Sequence, residues 1–450
     1  MATIAFYLSS KRTYGNLIMP LALLGFATVA TFISLIMTKR LSALVALIAI
    51  PILFGLLAGA GSNLGPMMIK GIIAVAPIAL LLAFAVLYFG LMMDAGLFDP
   101  LVRRIIHSVG NDPMRISIGT AALSALVSID GDGTTTALIV ITALLPVYRS
   151  LGMNPLILAT LLSLTNSLLN FVPWGGPSAR VAAALKVDLV SQVFLPLLPA
   201  LLITLAATFG LAWLFGRRER KRLGWTHDTM RQGAMVEIAS PPERRPHMFV
   251  ANLLLTLGLM VGLSLGIAPL PILMMGGFAI AATINYPRLN DQRKRIEAHA
   301  SNVVMIVALI FAAGSFTGIF EGTGMLDAMA RALLAGIPDE MGPYLAPVMA
   351  IVSMPLTFVM SNDAYYFGIV PVVAQAAAVH GIPPEVIARA SLMGQAVHQL
   401  SPLLAPVYLA CGLLGVEVGE VQRFALKYAI LICLILLIAA VLTGAIPIVA

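Results

Sequence analysis

The sequence predicts an all-α polytopic membrane protein of two inverted repeats, each with five transmembrane helices plus one re-entrant helical hairpin, and with broken helices at the site. Three observations carry this prediction. Of 450 residues, 60% are hydrophobic and 10% charged, and the mean hydropathy is +0.99, whereas a soluble domain carries about 25% charged residues. Apolar runs of spanning length, about 20 residues, recur along the whole chain. Landmarks of the first half return in the second at a nearly constant offset.

In order, apolar runs of spanning length cover roughly Ile18 to Thr38, Leu41 to Ala60 and Ile72 to Asp94, followed by an amphipathic piece, Leu97 to His107. Next comes an apolar hairpin, Ile116 to Val127 and Ala137 to Val147, whose tip is Ser128-Ile129-Asp130-Gly131-Asp132-Gly133-Thr134-Thr135-Thr136. A long segment from Pro155 to Val187 is interrupted at Pro173-Trp174-Gly175-Gly176-Pro177, and a span runs from Val193 to Phe215. Residues 217 to 246 form a polar, basic loop at the midpoint. The second half then gives spans at Met248 to Leu265, Leu270 to Tyr286 and Asn302 to Phe320, and an amphipathic piece at Met325 to Leu334. A second hairpin follows, Tyr344 to Met360 and Ala364 to Val379, with Ser361-Asn362-Asp363 at its tip. The last elements are a segment from Pro384 to Leu414 broken near Ser401-Pro402 and a final span from Ala425 to Leu442.

The halves match element for element. Gly90 and Gly96 correspond to Gly318 and Gly324 at a shift of 228; Pro155, Asn166, Asn170 and Pro173 correspond to Pro384, Gln395, Gln399 and Pro402 at 229; Ser128 and Asp130 correspond to Ser361 and Asp363 at 233. Five crossings per half is an odd number, so the second half inserts upside down, the plan of secondary transporters. Residues 1 to 17 lack the charged, apolar, small-residue order of a cleavable signal, so Ile18 onward reads as a retained span.

The net charge of +7 reflects topology rather than nucleic-acid binding, because Lys and Arg concentrate in short loops. With Arg217 to Arg245 in the cytoplasm, Lys39-Arg40, Arg103-Arg104, Arg149, Arg288, Arg293-Lys294-Arg295 and Arg423 fall inside as well. Both termini are then expected outside, with the first hairpin entering from the cytoplasm and the second from the opposite face. Cys411 and Cys433, the two cysteines, lie in apolar helical stretches and support neither a disulfide framework nor a metal cluster.

Ionisable groups at membrane depth are costly and read as functional. A helix cap would account for one aspartate at the first tip, but not for two around Gly131. Non-helical backbone in hydrocarbon is tolerated only where it is enclosed by protein or lines a cavity. Gly131, Gly133, Gly175 and Gly176 permit such turns, and Pro173, Pro177 and Pro402 end helices. Helix N-termini offer positive partial charge to a carboxylate, and oxygen ligands hold hard cations. Asp130, Asp132, Thr134, Ser361 and Asp363 supply such oxygens, which points to an anionic substrate accompanied by cations. Asn166, Asn170, Gln395 and Gln399 serve as ligands or as helix-to-helix hydrogen bonds. Arg180 either clamps a carboxylate or pairs with Asp188, and His398 either shuttles protons or packs. Asp94, Glu321 and Asp327, at the ends of spans, read as solvated interfacial groups.

Four stretches resemble the citrate-metal/proton symporter family (CitMHS) of the ion transporter superfamily. They are Asp130-Gly131-Asp132-Gly133-Thr134-Thr135, Val172 to Arg180, Asp363-Ala364-Tyr365-Tyr366-Phe367-Gly368-Ile369-Val370-Pro371, and Gly394 to Leu403, and the similarity runs from about 18 to 446. The resemblance implies an integral protein of the bacterial inner (plasma) membrane that imports citrate with Mg2+ or Ca2+, with H+ (or Na+) as coupling ion and no permanently bound cofactor. It implies a homodimer with an elevator mechanism: scaffold 18–108 and 247–335, transport parts 113–216 and 342–446, and repeats spanning 18–216 and 247–446.

Carried onto this chain, substrate and ions would meet Ser128, Asp130, Gly131, Asp132, Gly133, Thr134, Thr135, Asn166, Asn170, Pro173, Trp174, Gly175, Gly176, Arg180, Ser361, Asn362, Asp363, Ala364, Gln395, His398, Gln399, Ser401 and Pro402. The transported metal would face Asp130, Asp132 and Asp363. The superfamily's tips carry a Ser-Asn-Thr type of motif, so the extra carboxylates here suit metal-bound citrate. Desolvation disfavours their charged form, which fits them to carry protons. The alternatives are a sodium- or proton-coupled carrier of another di/tricarboxylate or sugar acid and, more remotely, an intramembrane aspartyl protease using Asp132 and Asp363.

Overall fold

In the computed structural model, which describes residues 21–36, 38–130, 133–225, 245–264, 267–336 and 338–449, each half lays down its helices in the same order. The first half begins with α1 (Leu21–Ile36). There follow α2 (Ala43–Leu57), the long α3 (Leu64–Ala95), a short α4 (Asp99–Val109), the hairpin α5 (Pro113–Val127) and α6 (Gly133–Ser150), the broken pair α7 (Pro155–Leu169) and α8 (Gly176–Leu185), and the long α9 (Leu195–Arg222). The second half gives α10 (Phe249–Ser264), α11 (Leu270–Asn285), the long α12 (Leu289–Gly322) and a short α13 (Met325–Ala335). It continues with the hairpin α14 (Leu345–Val359) and α15 (Val370–Ala378), the broken run α16 (Pro384–Ser391), α17 (Gln395–His398) and α18 (Ala405–Leu414), and the long α19 (Val418–Leu442). No β-strand occurs among the described residues, and five helical runs are long and apolar enough to cross a membrane by length and composition.

Local chemistry sets these boundaries. Asp112 accepts from the Met114 amide and Asn154 from the Leu156 amide, each ahead of a proline in the first turn of its helix, the position where a missing N–H costs nothing. Gly96, at φ 84°, ends α3 in the left-handed region that glycine enters without strain. The basic residues after Gly216 are helical, because α9 continues to Arg222. The rest of the midpoint loop, 226–244, lies outside the described residues.

Two packing groups follow. The repeat-related long helices α3 and α12 cross at close range, and α2 and α11 pack on them, with α10 on α11. A Cβ on Gly71 would stand 1.9 Å from the Gly314 carbonyl oxygen, and one on Gly318 2.3 Å from that of Met67. Small residues are what let two backbones approach this closely. In the second group α5, α7 and α19 pack around α9, α18 packs on α6, and α14, α15 and α16 pack together. The groups touch where α8 meets α3 and α12, and where α13 meets α15.

Three carboxylates expected to be merely solvated are instead paired between helices. Asp94 on α3 meets Arg295 at 3.2 Å and His299 at 2.9 Å on α12. Lys186, just past α8, donates to both oxygens of Glu321 on α12, at 2.5 and 2.6 Å. Gln375 on α15 donates to Asp327 on α13 at 2.9 Å. The last two ties join one packing group to the other.

At the polar end of α9 the Arg220 guanidinium grips both oxygens of Asp112, which is 1% exposed. Burial works against the charge on Asp112, but Arg220, the Met114 amide and Arg115 outweigh it and hold the carboxyl below its ordinary range. Such a group stabilises the fold above its unfolded pKa of about 3.9 and loses that contribution as pH falls through the folded value. In detergent, lowering the pH from about 5 to about 3 is therefore expected to reduce Tm more steeply in the wild type than in Asp112→Asn. Parallel curves would contradict this.

Candidate functional site

The two helix breaks supply non-helical backbone, mostly buried at 170–175 in the first and exposed at Pro402 and Leu403 in the second. α7 ends at Leu169, and α8 opens after an extended Gly175 with no side chain capping its first amides. A Cβ on Gly175 would lie 2.0 Å from the Asn170 carbonyl oxygen, so the turn accepts only glycine there. Pro177 falls in the first turn of α8, so it starts that helix; the break itself lies at 170–175. In the second half α17 ends at His398, and α18 opens after Leu404, again without a side-chain cap.

At the first hairpin tip, Ser128–Asp130 form a 3-10 turn and α6 restarts at Gly133. Gly131, Asp132 and the side chain of Asp130 lie outside what the structure describes. Thr134 and Thr135 stand in the first turn of α6 and are engaged there. At the second tip Ser361 Oγ accepts from the Ala364 amide at 3.2 Å. Asp363 then leads into a π-helical turn, Ala364–Ile369, ahead of α15.

Tips and breaks are tied together both within and across the halves. Trp174 Nε1 at the first break donates to the Ile129 carbonyl of the first tip at 2.6 Å, and its ring lies 4.7 Å from that of Phe89 on α3. Correspondingly, Ser401 Oγ at the second break donates to the Phe358 carbonyl at the end of α14, at 2.7 Å. Crosswise, α8 packs on the π turn of the second hairpin and α18 packs on α6 of the first. The cross contact that matters most is ionic. Arg180 Nε donates to Asp363 Oδ1 at 2.7 Å, with the side chains 23% and 13% exposed. Arg180 therefore does not pair with Asp188, which instead accepts from the Ser191 amide at the turn before α9.

Buried polar atoms without partners on the tips, the breaks and the helices beside them include Ser128 Oγ, Thr165 Oγ1, Asn166 Oδ1, Asn170 Oδ1, Asn362 Oδ1, Gln395 Oε1 and His398 Nε2. Asn166 and Asn170, one helical turn apart, share a face of α7, which packs on both α17 and the first tip. The amide nitrogen of Asn166 is the atom nearest to where a Cβ on Gly133 would stand, 3.1 Å away. Gln395 donates to the Tyr366 hydroxyl at 2.7 Å, leaving its own oxygen free. His398 Nδ1 sits 2.6 Å from the Thr357 carbonyl. It must carry the proton to donate there, so Nε2 of the neutral ring is an acceptor. Buried polar groups are nearly always satisfied; the two hydroxyls can donate as well as accept, but the four amide oxygens and His398 Nε2 only accept, and these five leave room for a cation or for donors that a ligand brings.

Among the described residues no three His, Cys, Asp or Glu side chains gather as an ion site. Of the sequence-predicted metal-facing carboxylates, Asp363 is held by Arg180, and Asp130 and Asp132 have no described side chain. Sequence reasoning passed over Tyr366, Thr165 and the Thr357 carbonyl. Tyr366 stood inside a quoted motif and Thr165 beside Asn166, while a backbone carbonyl carries no sequence signal.

The profile of the citrate transporter family (CitMHS) matches residues 32–394. In Bacillus subtilis strain 168, a citrate transporter is 50% identical over 94% of this chain and 99% of its own length. A Mg2+/citrate complex secondary transporter of the same organism is 44% identical over 95% of this chain and 99% of its own. The crystal structure of the Alcanivorax borkumensis YdaH transporter, described as having an unusual topology, matches with a TM-score of 0.61 at 15% identity, over 86% of this chain and 90% of that one; this likeness is one of fold.

The Arg180–Asp363 pair generates a prediction of its own. Removing either partner leaves the other charged in a half-dry setting, so Arg180→Met and Asp363→Asn are each expected to cost about 1–3 kcal/mol of stability. The double variant is expected to lose less than the sum, by about 1 kcal/mol. Additive losses in Tm would show that the two side chains do not depend on each other.

Proposed function

The chain belongs to the citrate transporter family (CitMHS), and from that premise we propose that it imports citrate as a complex with a divalent cation, Mg2+ or Ca2+, in symport with protons. Its relatives are transporters, so the intramembrane protease reading falls away. The observation that carries the substrate class is the polarity of the site. The tips and breaks combine a guanidinium and an uncapped helix start with unpartnered amide oxygens, a combination that receives a carboxylate and a cation together. A relative named for the Mg2+/citrate complex supports the same reading.

The two packing groups support a division of labour. α1–α3 and α10–α12 serve as a scaffold that holds the chain in the membrane as a homodimer. The hairpins, broken helices, α9 and α19 form the transport unit, linked to the scaffold through α4 and α13. Lys and Arg bias places the midpoint loop in the cytoplasm and both termini outside a bacterial inner membrane. In the empty state Arg180 and Asp363 neutralise each other. In the loaded state a substrate carboxylate takes Arg180, the metal offsets the remaining substrate charge, and protons carried on tip carboxylates complete the symport. Coupled motion of this kind is an elevator, and the Lys186–Glu321 and Gln375–Asp327 ties are the contacts it must break.

Thermal unfolding tests the substrate. A ligand that binds the folded state stabilises it by about 2.7 kcal/mol at a concentration near 100 times its Kd. Citrate with Mg2+ or Ca2+ is expected to raise Tm well above citrate in EDTA, and Arg180→Gln to abolish the rise. A dicarboxylate or sugar acid that stabilises equally without metal would favour a carrier of another carboxylate.

A further inference from the structure

The site holds more unsatisfied acceptors than a carboxylate can use. Arg180 and the start of α8 are donors, suited to oxygen anions. Asn170 Oδ1 at the end of α7, Asn166 Oδ1 one turn earlier and Gln395 Oε1 on α17 are acceptors with nothing to accept from. Their residues are 6%, 3% and 0% exposed. The freedom of these atoms follows from what their neighbours do. The Gln395 amide nitrogen is committed to Tyr366, which fixes the side chain and turns the oxygen away from that hydroxyl. Asn166 keeps its nitrogen toward Gly133 at the first tip. His398 spends its proton on the Thr357 carbonyl, so Nε2 accepts as well. Two repeat-related breaks thus converge on one layer, where α7 packs against α17, and each contributes amide oxygens to it.

From this arrangement we infer that the divalent cation of the substrate complex is held by the neutral side-chain oxygens of Asn166, Asn170 and Gln395 rather than by Asp363, which pairs with Arg180 in the empty state. Amide oxygens are ordinary ligands for hard cations, and Mg2+ keeps several of its waters, one of which donates to His398 Nε2. Metal-citrate is then bound with a direction: its metal toward α7 and α17, its free carboxylate toward Arg180 and α8. Neutral ligands also make chemical sense for cargo. They hold the metal without adding charge to the site, so the metal leaves with citrate rather than staying behind on a cluster of carboxylates. This inference deepens the metal-citrate reading and rests on it.

Isothermal titration of the full-length purified protein with citrate, in EDTA and in excess Mg2+, separates the two poles. In the wild type, Mg2+ is expected to tighten citrate binding. Asn170→Leu and Gln395→Leu are expected to lose about 10- to 100-fold of that Mg2+ gain, read within each variant as the ratio of citrate Kd in EDTA to that in Mg2+. Asn170→Asp, which keeps an oxygen in place, retains the gain, and this holds the test open should a leucine variant fail to fold. Arg180→Gln weakens binding in both conditions alike. A full Mg2+ gain in the leucine variants, or its loss in Asn170→Asp, overturns the assignment while leaving the metal-citrate reading intact. A wild-type protein that binds citrate equally with and without Mg2+ overturns that reading and the assignment with it.

Discussion

The contact on which the site depends is the ion pair between Arg180 and Asp363, because it joins the break of one half to the hairpin tip of the other. Neither side chain is at home in an apolar chain of this composition; each is tolerable because the other is 2.7 Å away. Pairing them requires α8 to reach the second hairpin, and that requires α7 to stop at Leu169 and the chain to turn through Gly175 before α8 begins. The same logic in the second half brings α18 back onto α6. Broken helices, re-aimed by glycine and proline, are how two halves of one chain share a single polar centre.

Contacts near the pair hold each break to its own hairpin. Trp174 and Ser401 each use one hydrogen bond to pin a break to its own hairpin, and the Phe89 ring covers the first of these from the side of α3. The glycine-lined crossing of α3 and α12 is the rigid counterpart. Between the two packing groups some ties are polar and partly wet, as at Lys186 and Glu321, which are 26% and 38% exposed, and others are apolar, as where Phe89 meets Trp174. Exposed ion pairs contribute little, often under about 1 kcal/mol.

Much of this was legible in the sequence, for identifiable reasons. Hairpin tips and breaks announce themselves because glycine, proline and charge stand out against apolar flanks, and the offset between Asn166 and Gln395 anticipated the common helix order of the two halves. Partners were not legible. Arg180 has Asp188 nearby in sequence and Asp363 nearby in space, and no spacing rule distinguishes them; only the crosswise packing of α8 does. Asp94, Glu321 and Asp327 looked like solvated ends of spans because their partners, Arg295, His299, Lys186 and Gln375, come from distant helices. The direction of unpartnered atoms, such as the Gln395 oxygen, depends on the Tyr366 hydroxyl and so is set by tertiary packing alone.

The metal-citrate proposal stands or falls on whether citrate and its metal cross together. Uptake of labelled citrate and labelled metal into sealed proteoliposomes, with the outside more acidic, measures this directly. Citrate and Mg2+ are expected to accumulate in a fixed ratio and to stop accumulating when a protonophore collapses the gradient. Citrate that accumulates to the same level in EDTA, or metal that stays outside while citrate enters, would contradict it.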